Sequence, residues 1–283
     1  MADTAIEWAT KVWNPVLGCE PVSEGCKNCY AQKFHNRLRG QRHPNYQREF
    51  WESFIGGPWL APFNWKKPER IFVCSMGDFF YEGHDTKEQW KIWLSLCRQA
   101  KQLTRHRYLV LTKRASRMAD YVLGEHVLQE EPLPNLWLGV TVENQRTADE
   151  RLPYLAKCKA DGWHTFVSCE PLLEEVLLID DSIWVSGEET FIACGRDGEP
   201  YQDRRQVEEM LPAMTPDWVI AGPETGPGKR PCDPKWLAYL QQQAGDCGVP
   251  FFLKKQADGS PAPRELQQFP NELILPWEAP QCD

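Results

Sequence analysis

The sequence predicts an α/β protein, an incomplete barrel of parallel strands wrapped by helices, on three observations. Six short apolar runs recur along the 283 residues, stretches with helical spacing separate them, and ionisable or amide residues follow the runs at their carboxyl ends. Apolar runs alternating with helical stretches are what a parallel sheet covered on both faces requires. Polar residues just past the runs fall where an α/β barrel gathers its chemistry. One core of this size stays undivided in such barrels, so residues 1–283 read as a single domain.

Taken in order, the amino terminus MADTAIEWATKVW lacks the basic start and apolar stretch of a signal peptide. No run of about 18 apolar residues offers a membrane span, so a cytoplasmic protein with no membrane partner is expected, in a host cytoplasm if a phage encodes it. Residues 13–31 form a cysteine-bearing loop. Residues 40–70, with Gly56, Gly57, Pro58, Pro62 and Pro68 among aromatics, read as an ordered loop before the first strand. That strand is Ile71 to Ser75. Asp85-Thr86-Lys87-Glu88 is a capping signal, and Trp90, Trp93, Leu94, Cys97 and Leu103 follow near helical spacing, which makes a crossover helix.

Strands follow at Tyr108 to Leu111 and Leu136 to Val142. Thr147 to Ala160 is helical, with Pro153 either opening or kinking it. Thr165 to Cys169 is the fourth strand. Residues 182–215 are polar, with a Gly-Arg-Asp-Gly turn signal, and read as an insertion or small hairpin. Trp218 to Ala221 is the fifth strand, a helix starts at Asp233-Pro234 and ends near Gly245 or Gly248, and Phe251 to Leu253 is the sixth. The barrel thus covers about 71–256. The proline-rich tail, 257–283, wraps the domain or frays.

A hydrophobic fraction of 42% and a charged fraction of 25% belong to a folded globular chain. The net charge of −8 argues against a broad surface for coating nucleic acid, because phosphate binding wants excess Lys and Arg, though a local basic groove stays open. Thirteen tryptophans imply buried indoles or stacking platforms. In a reducing cytosol clustered cysteines serve as metal ligands rather than as disulfide partners. Eight of the 11, namely Cys74, Cys97, Cys158, Cys169, Cys194, Cys232, Cys247 and Cys282, stand mostly alone and read as small core hydrophobes.

The other three lie within eleven residues: Cys19, then Cys26-Lys27-Asn28-Cys29 followed by Tyr30. A Cys-x-x-Cys turn brings two sulfurs to one centre and the preceding loop delivers the third. Two occupants compete. Zinc in a closed site wants four ligands, and His35, six residues past Cys29, could complete that set. A [4Fe–4S] cluster takes three thiolates and leaves one iron open for the amino group and carboxylate of S-adenosylmethionine (SAM). One electron passed to the sulfonium would then break a C–S bond and give a 5′-deoxyadenosyl radical. The six residues between Cys19 and Cys26 exceed the three of the commonest radical SAM signature.

The strand ends supply candidate partners for SAM and substrate. Ser75, Gly77 and Asp78 follow the first strand, with Asp78 suited to the SAM ammonium and Gly77 to a close backbone approach. Lys113 and Arg114 follow the second and could neutralise a carboxylate or phosphate. Glu143, Asn144 and Glu170 could hold ribose hydroxyls or substrate. Glu224 and Thr225, with Lys229 and Arg230 beyond them, form a glycine-rich loop suited to an anion. Among these, Lys113, Arg114, Lys229 and Arg230 are expected to hold a polyanion on the barrel mouth. No general acid or base is identifiable.

The segments WNPVLGCEPVSEGCKNCYA, SMGDFF, LTKR, LGVTVEN, FVSCEPLL, AGPETGPGKR and GVPFFLKKQ together resemble the three-Cys-motif phage and prophage proteins, a branch of the radical SAM superfamily close to spore photoproduct lyase. The likeness covers most of residues 6–256. It implies a partial (β/α)6 TIM-like barrel of the radical SAM type, a [4Fe–4S] cluster, SAM, and an external electron donor of flavodoxin or ferredoxin type. It further implies DNA or a modified nucleotide as substrate, with rearrangement of an amino-acid-bearing thymidine, such as glycinyl-thymidine, in phage DNA hypermodification. A lyase for thymine lesions is the alternative within the same chemistry. A zinc-stabilised binding protein without turnover is the alternative outside it.

Overall fold

The computed structural model describes residues 4–55, 59–124, 131–178, 215–276 and 278. Seven parallel strands form one sheet, curled into a half-barrel: β1 (Lys11–Trp13), β4 (Arg70–Val73), β5 (Arg107–Thr112), β6 (Leu136–Thr141), β7 (His164–Cys169), β8 (Val219–Ala221) and β9 (Phe251–Leu253), hydrogen-bonded in that order with β1 and β9 at the edges. A separate antiparallel pair, β2 (Val16–Leu17) and β3 (Phe54–Ile55), sits beside it. All six predicted strands are present. The six-unit expectation is corrected by β1, a seventh strand that pairs Lys11 to Trp13 with Ile71 to Val73.

Helices follow the strands as the capping signals require. Asp85 caps α2 (Thr86–Gln102) by accepting from the Lys87 and Glu88 amides, and Asp233 caps α5 (Pro234–Asp246) by accepting from Lys235. Between them lie α3 (Ala115–Leu123) and α4 (Gln145–Ala160); α1 (Tyr30–Gly40) follows the cysteine loop. The helix predicted from Thr147 begins two residues earlier, because Asn144 and Thr147 close a reciprocal capping box, and Pro153 sits inside it rather than at its opening. The predicted insertion at 182–215 falls, except for Thr215, outside the described residues.

Period-two alternation along each strand sorts side chains into two layers. Ile71, Val73, Tyr108, Val110, Leu138, Val140, Val167 and Val219 face the helices, whereas Phe72, Leu109, Trp137, Phe166, Ile220 and Phe252 fill the concave side with Trp8 and Trp218. Five of the tryptophans, Trp13, Trp93, Trp137, Trp163 and Trp218, are fully buried, so these indoles are core. Gly139 on β6 admits the Phe166 ring: a Cβ there would stand 2.4 Å from it. The described tail wraps the domain. Phe269 packs on Trp218 and Phe252, Leu273 is buried, and Arg70 holds both the Leu273 carbonyl and Glu278. The aromatic plug closes the amino-terminal end of the half-barrel and leaves the carboxyl end open.

Candidate functional site

The cysteine loop lies across that open end and is fastened to four strand ends. Past β4, Cys74 turns to φ 62 and donates its amide to the Trp13 carbonyl. The chain that follows meets the loop at a Gly18–Gly77 bridge, where the Gly18 amide donates to the Met76 carbonyl at 2.8 Å. Only glycine fits at 18: φ is 84, and a Cβ would lie 2.2 Å from the Phe50 carbonyl. Tyr30 donates its hydroxyl to the Ser75 carbonyl, and Asn14 accepts from the Ser75 hydroxyl and the Met76 amide. Arg114 past β5 donates to the Glu20 carbonyl at 3.1 Å. Ser23 donates to Glu143 past β6 at 2.7 Å, and Asn28 donates to Glu224 past β8 at 2.9 Å.

Cys19, Cys26 and Cys29 thereby line one cavity that is open to solvent. Its floor is Trp8, Phe72 and Leu111. Its walls are strand ends, including Ser75, Gly77, Asp78, Lys113, Arg114, Thr141, Ser168, Glu170, Glu224, Thr225 and Lys254. Burial first, then the Asp78 carboxylate, push the Cys19 thiol up, with smaller contributions from Cys29 and Cys26.

Several predicted contacts are already committed within the protein. Asp78 is buried, and its two oxygens accept from the Phe80 amide, the Thr112 hydroxyl, the Lys113 amide and the Arg114 guanidinium at 2.7–3.2 Å. Four donors satisfy a carboxylate. Asp78 is therefore the knot that ties β4 to β5, not a free acceptor for an ammonium group. Glu143 is fully buried between Lys113 at 2.9 Å and Arg151 at 3.0 Å. Burial alone would push its carboxyl up, but these two cations hold it below the usual value. The Asn144 side chain caps α4 and does not line the cavity.

Of the four cations expected to hold a polyanion, Lys113, Arg114 and Arg230 are ion-paired within the protein. Lys113 pairs with Glu143, and Arg114 pairs with Asp78 and Glu82. Arg230 grips Glu224 through two nitrogens, while Lys229 reaches the Asp258 carbonyl. Burial pushes the Glu224 carboxyl up, yet the Arg230 hydrogen bonds, assisted by Asn28, outweigh it and hold the group at about 2. Thr225 remains on the cavity wall. His35, the possible fourth zinc ligand, is buried against Tyr46 and Phe50 with Nε2 at 2.9 Å from the Arg48 carbonyl. It does not complete a zinc set.

One wall group was not anticipated from sequence. Lys254, the residue after β9, stands 3.1 Å from Glu170, whose other oxygen accepts from Ser168 at 3.3 Å. Burial pulls its ammonium down, but Glu170 and Glu7 outweigh that and raise it above the ordinary lysine value. The signal was available, since Lys254 follows an apolar run as the other strand-end residues do.

Among the described residues no three His, Cys, Asp or Glu side chains are gathered so as to hold one metal ion. Each thiolate of a cubane binds a different iron, so its ligands need not converge on a point. Three thiolates around one cavity, with no histidine among them, fit such a cluster in donor chemistry. Residues 3–268 match a family described as "Protein of unknown function (DUF5131)". No curated protein and no solved structure matches the chain.

Proposed function

The chain belongs to the DUF5131 family, whose function is unknown, and from the site we propose that it is a radical SAM enzyme. The observation that carries this reading is the placement of Cys19, Cys26 and Cys29 on one cavity at the carboxyl end of a parallel half-barrel. Those three cysteines would hold a [4Fe–4S] cluster, and the cavity would take SAM together with a substrate. When bound and reduced by an external donor of flavodoxin or ferredoxin type, the cluster supplies the electron that cleaves the sulfonium C–S bond.

The chain's own residues prepare the place for that chemistry. Glu143, Glu224, Arg114 and Gly77 fix the loop, so the thiols are positioned before anything binds. Trp8, Phe72 and Leu111 give the cavity an apolar floor against which a substrate could pack. Ser168, Glu170 and Lys254 form a polar wall suited to orienting a substrate. Nothing in this arrangement requires the chain to span a membrane, and no helix among the described residues is long and apolar enough to do so.

Anaerobic reconstitution with iron and sulfide tests the proposal. About four irons per chain, a brown colour and reductive formation of 5′-deoxyadenosine from SAM are expected. Colourless protein holding one zinc would reject it. The thymidine isomerase and the thymine-lesion lyase would both use this site, and nucleoside mass analysis separates them. An isomer appears at unchanged mass with altered retention, whereas a repaired lesion appears only from irradiated DNA.

A further inference from the structure

Residues 27–48 carry six cations, Lys27, Lys33, Arg37, Arg39, Arg42 and Arg48, and no Asp or Glu, in a chain whose net charge is −8. Arg39 is taken up by Glu49, and Arg48 has interactions of its own. Lys27, Lys33, Arg37 and Arg42 are exposed. Lys33 touches the Pro227 carbonyl, a contact that leaves its charge unneutralised.

Helical spacing arranges part of this run into a stripe. Tyr30, Lys33, Phe34 and Arg37 fall at i, i+3, i+4 and i+7, on one face of α1. Tyr30 is 56% exposed and Phe34 39%, and the Arg37 guanidinium lies 4.6 Å from the Phe34 ring centroid. Two exposed rings about 6 Å apart along the helix, flanked by cations, present stacking faces and charge together. The stripe begins at the cavity, since Tyr30 is one of its lining residues.

We propose that this face of α1 binds single-stranded nucleic acid and leads one base into the cavity. The proposal deepens the reading of the enzyme by naming its substrate class, and it moves the polyanion from the strand ends to an outer helix. A strand satisfies both halves of the geometry: phosphates meet Lys27, Lys33, Arg37 and Arg42, bases stack on Tyr30 and Phe34, and a splayed base enters the pocket. A folded acidic protein would cover the charges but would leave the aromatic path into the cavity without an occupant. A duplex would have to extrude its base first, at the cost of unstacking.

Fluorescence anisotropy with a labelled oligothymidine of about 15 nucleotides, read across a salt series on the full chain, tests this. Phe34→Ala should weaken binding about tenfold, and Phe34→Trp should restore it. Lys33→Ala with Arg37→Ala should reduce the slope of log affinity against log salt by about 1.4, at about 0.7 per phosphate on a single strand. These side chains are exposed, so melting temperatures should stay unchanged. Iron loading of the wild-type chain, measured beside the same titration, separates the two readings. Oligonucleotide binding without iron would uphold this surface while the radical chemistry fell, and iron loading without oligonucleotide binding would do the reverse. Wild-type protein that ignores the oligonucleotide, variants that bind it unchanged, or a face that instead docks an acidic flavodoxin would each overturn the proposal.

Discussion

Asp78 illustrates how a buried carboxylate at a strand end can be mistaken for a ligand contact. Its position after an apolar strand is legible in sequence; its occupancy by four donors is not, because three of them come from residues 112–114 at the end of the next strand. Asp78→Asn would turn an amide NH2 toward one set of those donors and would leave Arg114 without its buried partner. Breaking such a pair costs about 3 kcal/mol. Denaturant unfolding should show a lower midpoint at unchanged slope, and an unshifted midpoint would remove the knot from the account. Glu224 gives a pH-dependent counterpart. Its carboxyl titrates at about 2 in the folded chain against 4.5 ordinarily. A depressed folded value contributes stability above pH 4.5 that is lost as pH falls toward 2. The melting temperature of wild type should therefore drop more steeply across that window than that of Glu224→Gln; parallel curves would sink the assignment.

At the scale of elements, the sheet was legible because six of its strands are buried on both faces and so read as continuous apolar runs. β1 escaped because three residues, Lys-Val-Trp, offer neither length nor alternation, and only pairing with β4 makes them a strand. The start of α4 escaped for a different reason: Asn144 caps through its side chain while Thr147 reciprocates, so a residue expected to touch substrate is spent on a helix end. Among the strands, the contact between β6 and β7 is sharply testable. Gly139→Ala would set a methyl against the Phe166 ring, which is itself packed near Trp8 and Trp218. Overpacking of this kind costs about 1–3 kcal/mol. Phe166→Leu in the Gly139→Ala background should recover part of the loss, giving a favourable coupling energy in a double-mutant cycle. Additive losses would mean that the glycine serves something other than the ring.

The whole molecule divides into a core that needs no cofactor and a loop that would carry one. Its two large apolar layers contain none of the three clustered cysteines; Cys19 and Cys29 only border a small third cluster of Leu17, Ala31, Phe50 and Met76. The loop itself is held by hydrogen bonds between Gly18, Glu20, Ser23, Asn28 and Tyr30 and the strand ends, none of which involves a thiol. Fold and loop position are thus set without any metal, unlike in small zinc domains whose folding free energy is metal binding itself. The triple replacement of Cys19, Cys26 and Cys29 by Ser should accordingly retain the far-UV circular dichroism of the unloaded wild type and melt cooperatively close to it. Loading should raise the melting temperature of wild type alone, because a ligand that binds only the folded state stabilises it by mass action. Circular dichroism melts of the four samples, each chain before and after reconstitution, measure both effects together. A triple variant that is unfolded at room temperature would show that the cysteines are structural, and the cavity would then have to be explained without a redox centre.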